Sequence, residues 1–280
     1  GLTAENHVLI DPISGMRLPM DQHKATVLIK PEDRLVLVYG PESQIQSQFG
    51  KTQLADIDVL KQLYAQSQIK APEDKDETTF KFEIDDSKAV PVNLKPYVNR
   101  GFVDKVANDG KGGWTDQGEN SLQGVPWGLQ NFLGVPFELI RFDENFNKTC
   151  IVLQSTRMSH VPLRIDGVKV NMQAKAMYFL TTTAWTAKGT EAMRFVIHYE
   201  DGSQATVPVV CGQQTHDWWV KRAIDPALPG KLAWKNSQKR GLFAFRWQNP
   251  HPDRTIDRLD VVSANNQPIP IVVAITVEQP

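Results

Sequence analysis

The chain has 280 residues with 31 Lys and Arg against 32 Asp and Glu, a formal net charge of −1. That near-balance gives no electrostatic drive toward nucleic acid or an anionic membrane surface. With 41% hydrophobic and 22% charged residues the composition is that of a globular protein, and no apolar run reaches the roughly 18 residues of a membrane helix.

The N-terminal part predicts a small β domain over residues 1–77. Gly1 in place of Met resembles the scar of a cleaved tag, which leaves the question of an export signal open. Asp11, Pro12, Ile13, Ser14 and Gly15 form a turn signature, and residues 25–29 and 34–39 read as a hairpin. Leu54, Ile57, Leu60, Leu63 and Tyr64 recur at three- and four-residue steps, which predicts one amphipathic helix over 53–68. Pro72 ends it, and residues 73–77, all charged, read as a solvated linker.

From residue 78 to 280 the pattern is of short alternating or wholly apolar runs broken by Gly, Pro, Asn and Asp. Strands are expected at 80–84, 137–140, 150–153, 175–180, 194–199, 204–209, 242–247, 258–262 and 270–277. Glu200, Asp201, Gly202 and Ser203 mark a hairpin turn with Asp-Gly at its centre. Many strands with almost no helical period predict a mainly β fold, a jelly-roll-like antiparallel sandwich behind the small domain. A catalytic β/α barrel, which needs about 250 residues of alternating strand and helix, is excluded.

The densest functional signal is residues 108–120. Gly110, Gly112, Gly113 and Gly118 let the backbone fold tightly, Trp114 offers a flat apolar ring, and Asp116, Gln117 and Asn120 offer hydrogen bonds. Stacking on a sugar face with a few aimed polar groups uses this combination. The same residues would also serve a structural loop, with Trp114 in the core and the polar side chains tying down their own backbone. Asp109, Asp116 and Asn120 carry the hard oxygen donors that calcium takes, although the spacing is not that of an EF-hand. A second cluster is His216, Asp217, Trp218 and Trp219, whose adjacent rings point to opposite faces of an extended chain, so that one can be core and the other a sugar platform.

Other residues carry less. Cys150 and Cys211 sit in strand-like runs, read as buried thiols with a disulfide as the alternative. His251 lies on the turn Asn249, Pro250, His251, Pro252, and Asn147-Lys148-Thr149 fits a glycosylation sequon. Nucleophile-elbow, zinc-protease, phosphate-loop and dinucleotide motifs are absent from the sequence. Acids such as Glu138, Asp143, Glu144, Glu200 and Asp201 are plentiful, but nothing pairs two of them as a glycosidase requires.

The run Val98-Asn99-Arg100-Gly101-Phe102-Val103-Asp104, then Gly112-Gly113-Trp114-Thr115-Asp116-Gln117-Gly118-Glu119-Asn120, then Gly134-Val135-Pro136-Phe137 resembles the galactose-binding-like and NPCBM-type modules attached to bacterial glycoside hydrolases. Tyr199-Glu200-Asp201-Gly202, Asp217-Trp218-Trp219, Trp247-Gln248-Asn249-Pro250 and Val262-Ser263-Ala264-Asn265 extend it over about residues 90–280. The N-terminal part is similar to the small β-domain that often closes a glycosidase chain. The resemblance implies a non-catalytic carbohydrate-binding protein and a secreted, periplasmic or cell-surface location. It also implies a polysaccharide or oligosaccharide partner beside a catalytic partner domain or protein, and a possible structural calcium. A protein-interaction sandwich without a sugar site is the runner-up, and a cryptic glycoside hydrolase stands behind it.

Overall fold

The computed structural model describes residues 80–280 except Lys105, Lys111, Gly112 and Glu119, together with the backbone of four short strands in residues 1–79. The chain divides into two compact units, 1–74 and 75–280.

In the first unit β1 (His7–Asp11) pairs antiparallel with β2 (Met16–Leu18) and with β3 (Val38–Pro41), while β4 (Gln53–Leu54) pairs parallel with β2. Residues 12–15 of the expected turn and 34–37 of the expected hairpin lie outside the described residues. Gln53 and Leu54, the expected helix start, are strand instead, because their backbone pairs with Met16 and Arg17 and that pairing overrides the local helical period. Residues 25–29, the rest of the helix at 55–68 and the charged run 73–77 lie outside the described residues.

The second unit is an antiparallel β-sandwich. After a short 3-10 turn (Asp86–Lys88), capped by Asp85, come β5 (Ala89–Pro91), β6 (Gly128–Phe132), β7 (Val135–Leu139) and β8 (Ile151–Val152). Then follow β9 (Arg164–Gln173), β10 (Ala176–Ala184), β11 (Glu191–Tyr199) and β12 (Gln204–Val210). The last four are β13 (Lys231–Lys235), β14 (Gly241–Gln248), β15 (Thr255–Ser263) and β16 (Ile269–Glu278). One sheet has the order β13-β14-β10-β16-β5, with β8 added to β16, and the facing sheet the order β12-β11-β15-β9. The chain crosses between them repeatedly, as β9 to β10 to β11 and β14 to β15 to β16, in a jelly-roll-like manner.

Between the sheets Phe179 of β10 stacks on Phe195 of β11 at 4.2 Å and on Phe245 of β14 at 5.0 Å. Met177, Ile197, Val207, Leu259, Val261 and Val277 complete this core. The other face of β10 and β16 is covered too. The β6–β7 hairpin and the loops of residues 100–125 lay Phe102, Trp114, Leu122, Phe137 and Leu139 against Tyr178, Leu180, Ile271 and Val273. Every residue of β10 and β16 is therefore buried, which is why both are mostly apolar without alternation, with Thr181, Thr182, Thr183, Thr276 and Glu278 buried among them.

The Glu200–Ser203 hairpin forms as expected. Gly202 takes φ +83°, and Asp201 Oδ1 accepts the Ser203 N–H at 2.9 Å. The expected strand 80–84 does not form. Its alternation survives in the packing of Phe82 and Ile84, but its backbone ties into the fold through the Phe82 N–H to the Leu133 carbonyl at 2.9 Å rather than a ladder. Strands β5, β6, β9 and β13 were not anticipated from the sequence.

Truncating the ring shared by both sheets should be severe. Phe179→Ala is expected to cost about 3–5 kcal/mol in urea unfolding. A loss below about 1 kcal/mol would contradict the stacked core.

Candidate functional site

The loop 108–120 is closed on itself by backbone and side-chain hydrogen bonds. The Asn108 N–H donates to the Asp116 carbonyl at 3.0 Å, and the Asp116 carboxylate accepts the N–H groups of Asp109 (3.2 Å) and Gly110 (3.0 Å). Asp104 Oδ2 accepts the Gly118 N–H at 2.8 Å, and Arg100 donates to the Gly110 carbonyl. Glycine is required at 113, where a Cβ would sit 2.6 Å from that of Asp104. Asn108 (φ +61°) and Asp116 (φ +51°) occupy the left-handed region that their short polar side chains tolerate.

Trp114 has no exposed surface and Trp218 has 1%. Their rings meet edge to face at 5.1 Å, and Trp218 meets Trp219 at 5.4 Å. The two clusters chosen separately in the sequence are thus one aromatic assembly, and neither Trp114 nor Trp218 presents a face to solvent. Trp219 is half-buried and covered by Arg240, whose guanidinium carbon lies 3.9 Å from its ring centroid and 5.3 Å from that of Trp218. Arg240 donates to Asn120 Oδ1 at 2.8 Å, which fastens the end of the loop to the tryptophan pair. Only 5% exposed, the guanidinium is held below its usual pKa by burial.

Asp217 also serves the backbone. Its Oδ1 accepts the Trp219 N–H (2.9 Å) and its Oδ2 the Thr186 N–H (3.2 Å). The His216 carbonyl accepts from Thr182 Oγ1 and Thr183 Oγ1, while its ring lies 5.0 Å from Phe243, with Nε2 buried and unpartnered among the described residues.

An opening lies beside this assembly. A cleft of about 190 Å³ is lined by Asn108, Thr115, Asp116, Gln117, Arg157, Met158, His160, Trp185 and Ile269. Asp116 and Gln117 were singled out in the sequence. Arg157, His160 and Trp185 were not. Trp185 follows β10, is half-buried and has φ +53°, a strained conformation for a bulky residue. The Asp217 bond to Thr186, the Thr183–Thr186 hydroxyl pair at 2.9 Å and the Gln267 side chain on the Trp185 carbonyl hold that turn. The Arg157 guanidinium carbon lies 5.6 Å from the Trp185 ring centroid. The sequence carried no signal for Trp185, which lies beyond the expected strand 175–180 and directly after β10.

Asp104, Asp109 and Asp116 each bring one carboxylate oxygen within 4.8 Å of the other two. Asp104 joins the expected Asp109 and Asp116 in this group, while the Asn120 Oδ1 accepts from Arg240. Three carboxylates form a hard-oxygen donor set suited to calcium.

Cys150 and Cys211 are free and buried, and burial raises both thiols, Cys211 to about 11. His251 packs its ring on Tyr199 at 5.6 Å, and Asn249 braces that turn from inside. Among the described residues no helix is long and apolar enough to cross a membrane.

Comparison with protein-family models, curated proteins and solved structures gives no match to the chain. The fold and cleft define the class: a mainly β sandwich with a small polar-aromatic cleft beside a buried tryptophan assembly.

Two outcomes follow from the electrostatics. Burial lowers the His216 pKa from 6.5, so the folded state keeps the ring neutral where the unfolded chain takes a proton. The His216 contribution to stability is therefore full above pH 6.5 and declines below it until the lower folded pKa is passed. Urea midpoints should fall from pH 7.5 to 5.5, and fall less in His216→Gln. An equal fall in both proteins would refute the assignment. For the acidic triad, calcium bound at about 100 times its Kd adds about 2.7 kcal/mol to the folded state. The wild-type melting temperature is expected to rise with calcium and that of Asp109→Asn to stay fixed; an unresponsive wild type means the triad holds no calcium.

Proposed function

We propose that the protein is a non-catalytic carbohydrate-binding module whose sugar site is the cleft bounded by Asn108, Asp116, Gln117, Arg157 and Trp185. The observation that carries this reading is the pairing of a half-buried Trp185 ring with amide and carboxylate groups along one small opening. A ring face takes the C–H side of a sugar, and the polar groups take its hydroxyls. The cleft volume of about 190 Å³ falls below the roughly 300–1,000 Å³ of pockets for drug-sized ligands, so it suits one sugar unit with the remaining chain in solvent.

The string of motifs similar to hydrolase-associated modules supports the same reading, and with it an extracytoplasmic polysaccharide partner and a role beside a catalytic domain or protein. Hydrolysis is less well supported. A glycosidase uses two carboxyl groups about 5–9.5 Å apart. Asp116 is the single carboxylate among the described lining residues, and both its oxygens accept backbone N–H groups.

Affinity electrophoresis on a polysaccharide panel tests the proposal. Trp185→Ala is expected to weaken retention at least about tenfold, or ~1.4 kcal/mol, with the fold intact. Trp114→Ala should instead lose about 3–5 kcal/mol of stability. A wild type retained by no polysaccharide would defeat the reading.

A further inference from the structure

We infer that the cleft selects an acidic sugar, a uronic acid residue whose carboxylate is taken by the Arg157 guanidinium while its ring lies along Trp185. The inference rests on the sugar-binding reading of the same cleft and names its ligand class.

Arg141, Arg164, Arg194, Arg254 and Arg258 each form an ion pair at 3.0 Å or less with a carboxylate of the chain itself. Arg157, like Arg100, Arg222 and Arg240, forms no ion pair among the described residues, but of these four it is the one that lines the cleft. Its guanidinium is exposed and stands over the Trp185 ring instead.

Arg157 is also presented on a fixed backbone. It lies in the tight turn in which the Ser155 N–H donates to the Met158 carbonyl and the Met158 N–H donates back to Ser155. Ser155 Oγ accepts the Arg157 N–H at 3.1 Å, the Thr156 N–H donates to the Asn266 carbonyl, and the Met158 side chain is buried as an anchor. The Trp185 turn is held with equal care by Asp217. Two partners fixed in advance lose little entropy when a ligand docks. A guanidinium stacked on an aromatic ring keeps its planar fork of N–H donors free, and that fork matches the two oxygens of a carboxylate.

The cleft lining carries both signs of charge, and this sets the orientation. Arg157 and Asp116 both line it, and Asp104 and Asp109 lie close to Asp116. An anionic group is repelled from Asp116 and drawn to Arg157. Hydroxyls belong beside Asp116, Gln117 and Asn108, which accept or exchange hydrogen bonds. A uronic acid carries both kinds of group on one ring, with the carboxylate at one end and hydroxyls at the other. A neutral hexose leaves the Arg157 fork without an anionic partner.

The test is calorimetric titration and affinity electrophoresis with polygalacturonate, its carboxyl-reduced form, a neutral galactan and a sulfated galactan. Wild type, Arg157→Gln, Arg157→Lys and Trp185→Ala are compared, with melting curves to confirm folding. Expected results are binding of polygalacturonate that falls at least about tenfold in Arg157→Gln, a partial loss in Arg157→Lys, and a comparable loss on carboxyl reduction. Binding should also weaken as salt rises. Equal binding of neutral galactan and polygalacturonate, unchanged in Arg157→Gln, overturns the acidic-sugar inference and leaves the sugar reading standing. Preference for the sulfated galactan overturns the carboxylate assignment in favour of a sulfate ester. A wild type that binds none of the polymers overturns both the inference and the reading beneath it.

Discussion

The architecture depends on one burial constraint: strands β10 and β16 are buried on both faces along their whole length. A sheet with one apolar face needs one partner layer, and these two strands need two. The facing sheet supplies the first through Phe195 and its neighbours. The second is built from material with little regular structure, the β6–β7 hairpin and the loops of residues 100–125. Each large side chain buried there contributes about 1.5–3 kcal/mol, enough to order a glycine-rich segment that would otherwise stay open. The loop is thus folded by what lies beneath it.

Covering a sheet with loops creates a satisfaction problem, because loops bring unpaired backbone N–H groups into the interior. The polar side chains of residues 104–120 answer it. Asp104 takes the Gly118 N–H and Asp116 takes those of Asp109 and Gly110. Arg240 does the corresponding work between segments, joining Asn120 to the faces of Trp218 and Trp219. A guanidinium this buried without a carboxylate partner among the described residues is costly to desolvate, and the stacking and its bonds to Asn120 and Gln238 offset that cost.

How much of this was legible depended on how locally it was encoded. The sandwich was legible because strand alternation and the Asp201-Gly202 turn are local signals. Strand β9 was hidden because Asp166-Gly167 sits inside it and reads as a turn; Gly167 takes φ +72° within the strand, and its N–H is bonded by Asp260 across the sheet. The alternation at 80–84 suggested a strand because it encodes one buried side, yet sequence cannot say whether a neighbouring edge is free to pair. At the site, composition marked Trp114 and Trp218–Trp219 as one would mark sugar platforms. Whether a ring is covered is decided by residues distant in the chain, such as Trp218 against Trp114, and no short pattern records that.

The same burial explains where the opening lies. Loops 108–117 and 155–160 and the turn at Trp185 meet where β10 ends at Ala184 and β16 begins at Ile269, the edge at which the double covering of the sheet runs out. Ala184 and Ile269 are still fully covered, whereas Trp185, one residue further on, is half exposed. Its left-handed backbone turns the chain away from the sheet line, and Asp217, itself next to the buried Trp218, holds that turn. The residues that look most functional in the sequence therefore act at one remove. Trp114, Trp218 and Asn120 fix the frame, Asp116 and Asp217 fix the backbone at the rim, and the ring and charge left for a ligand are those of Trp185 and Arg157.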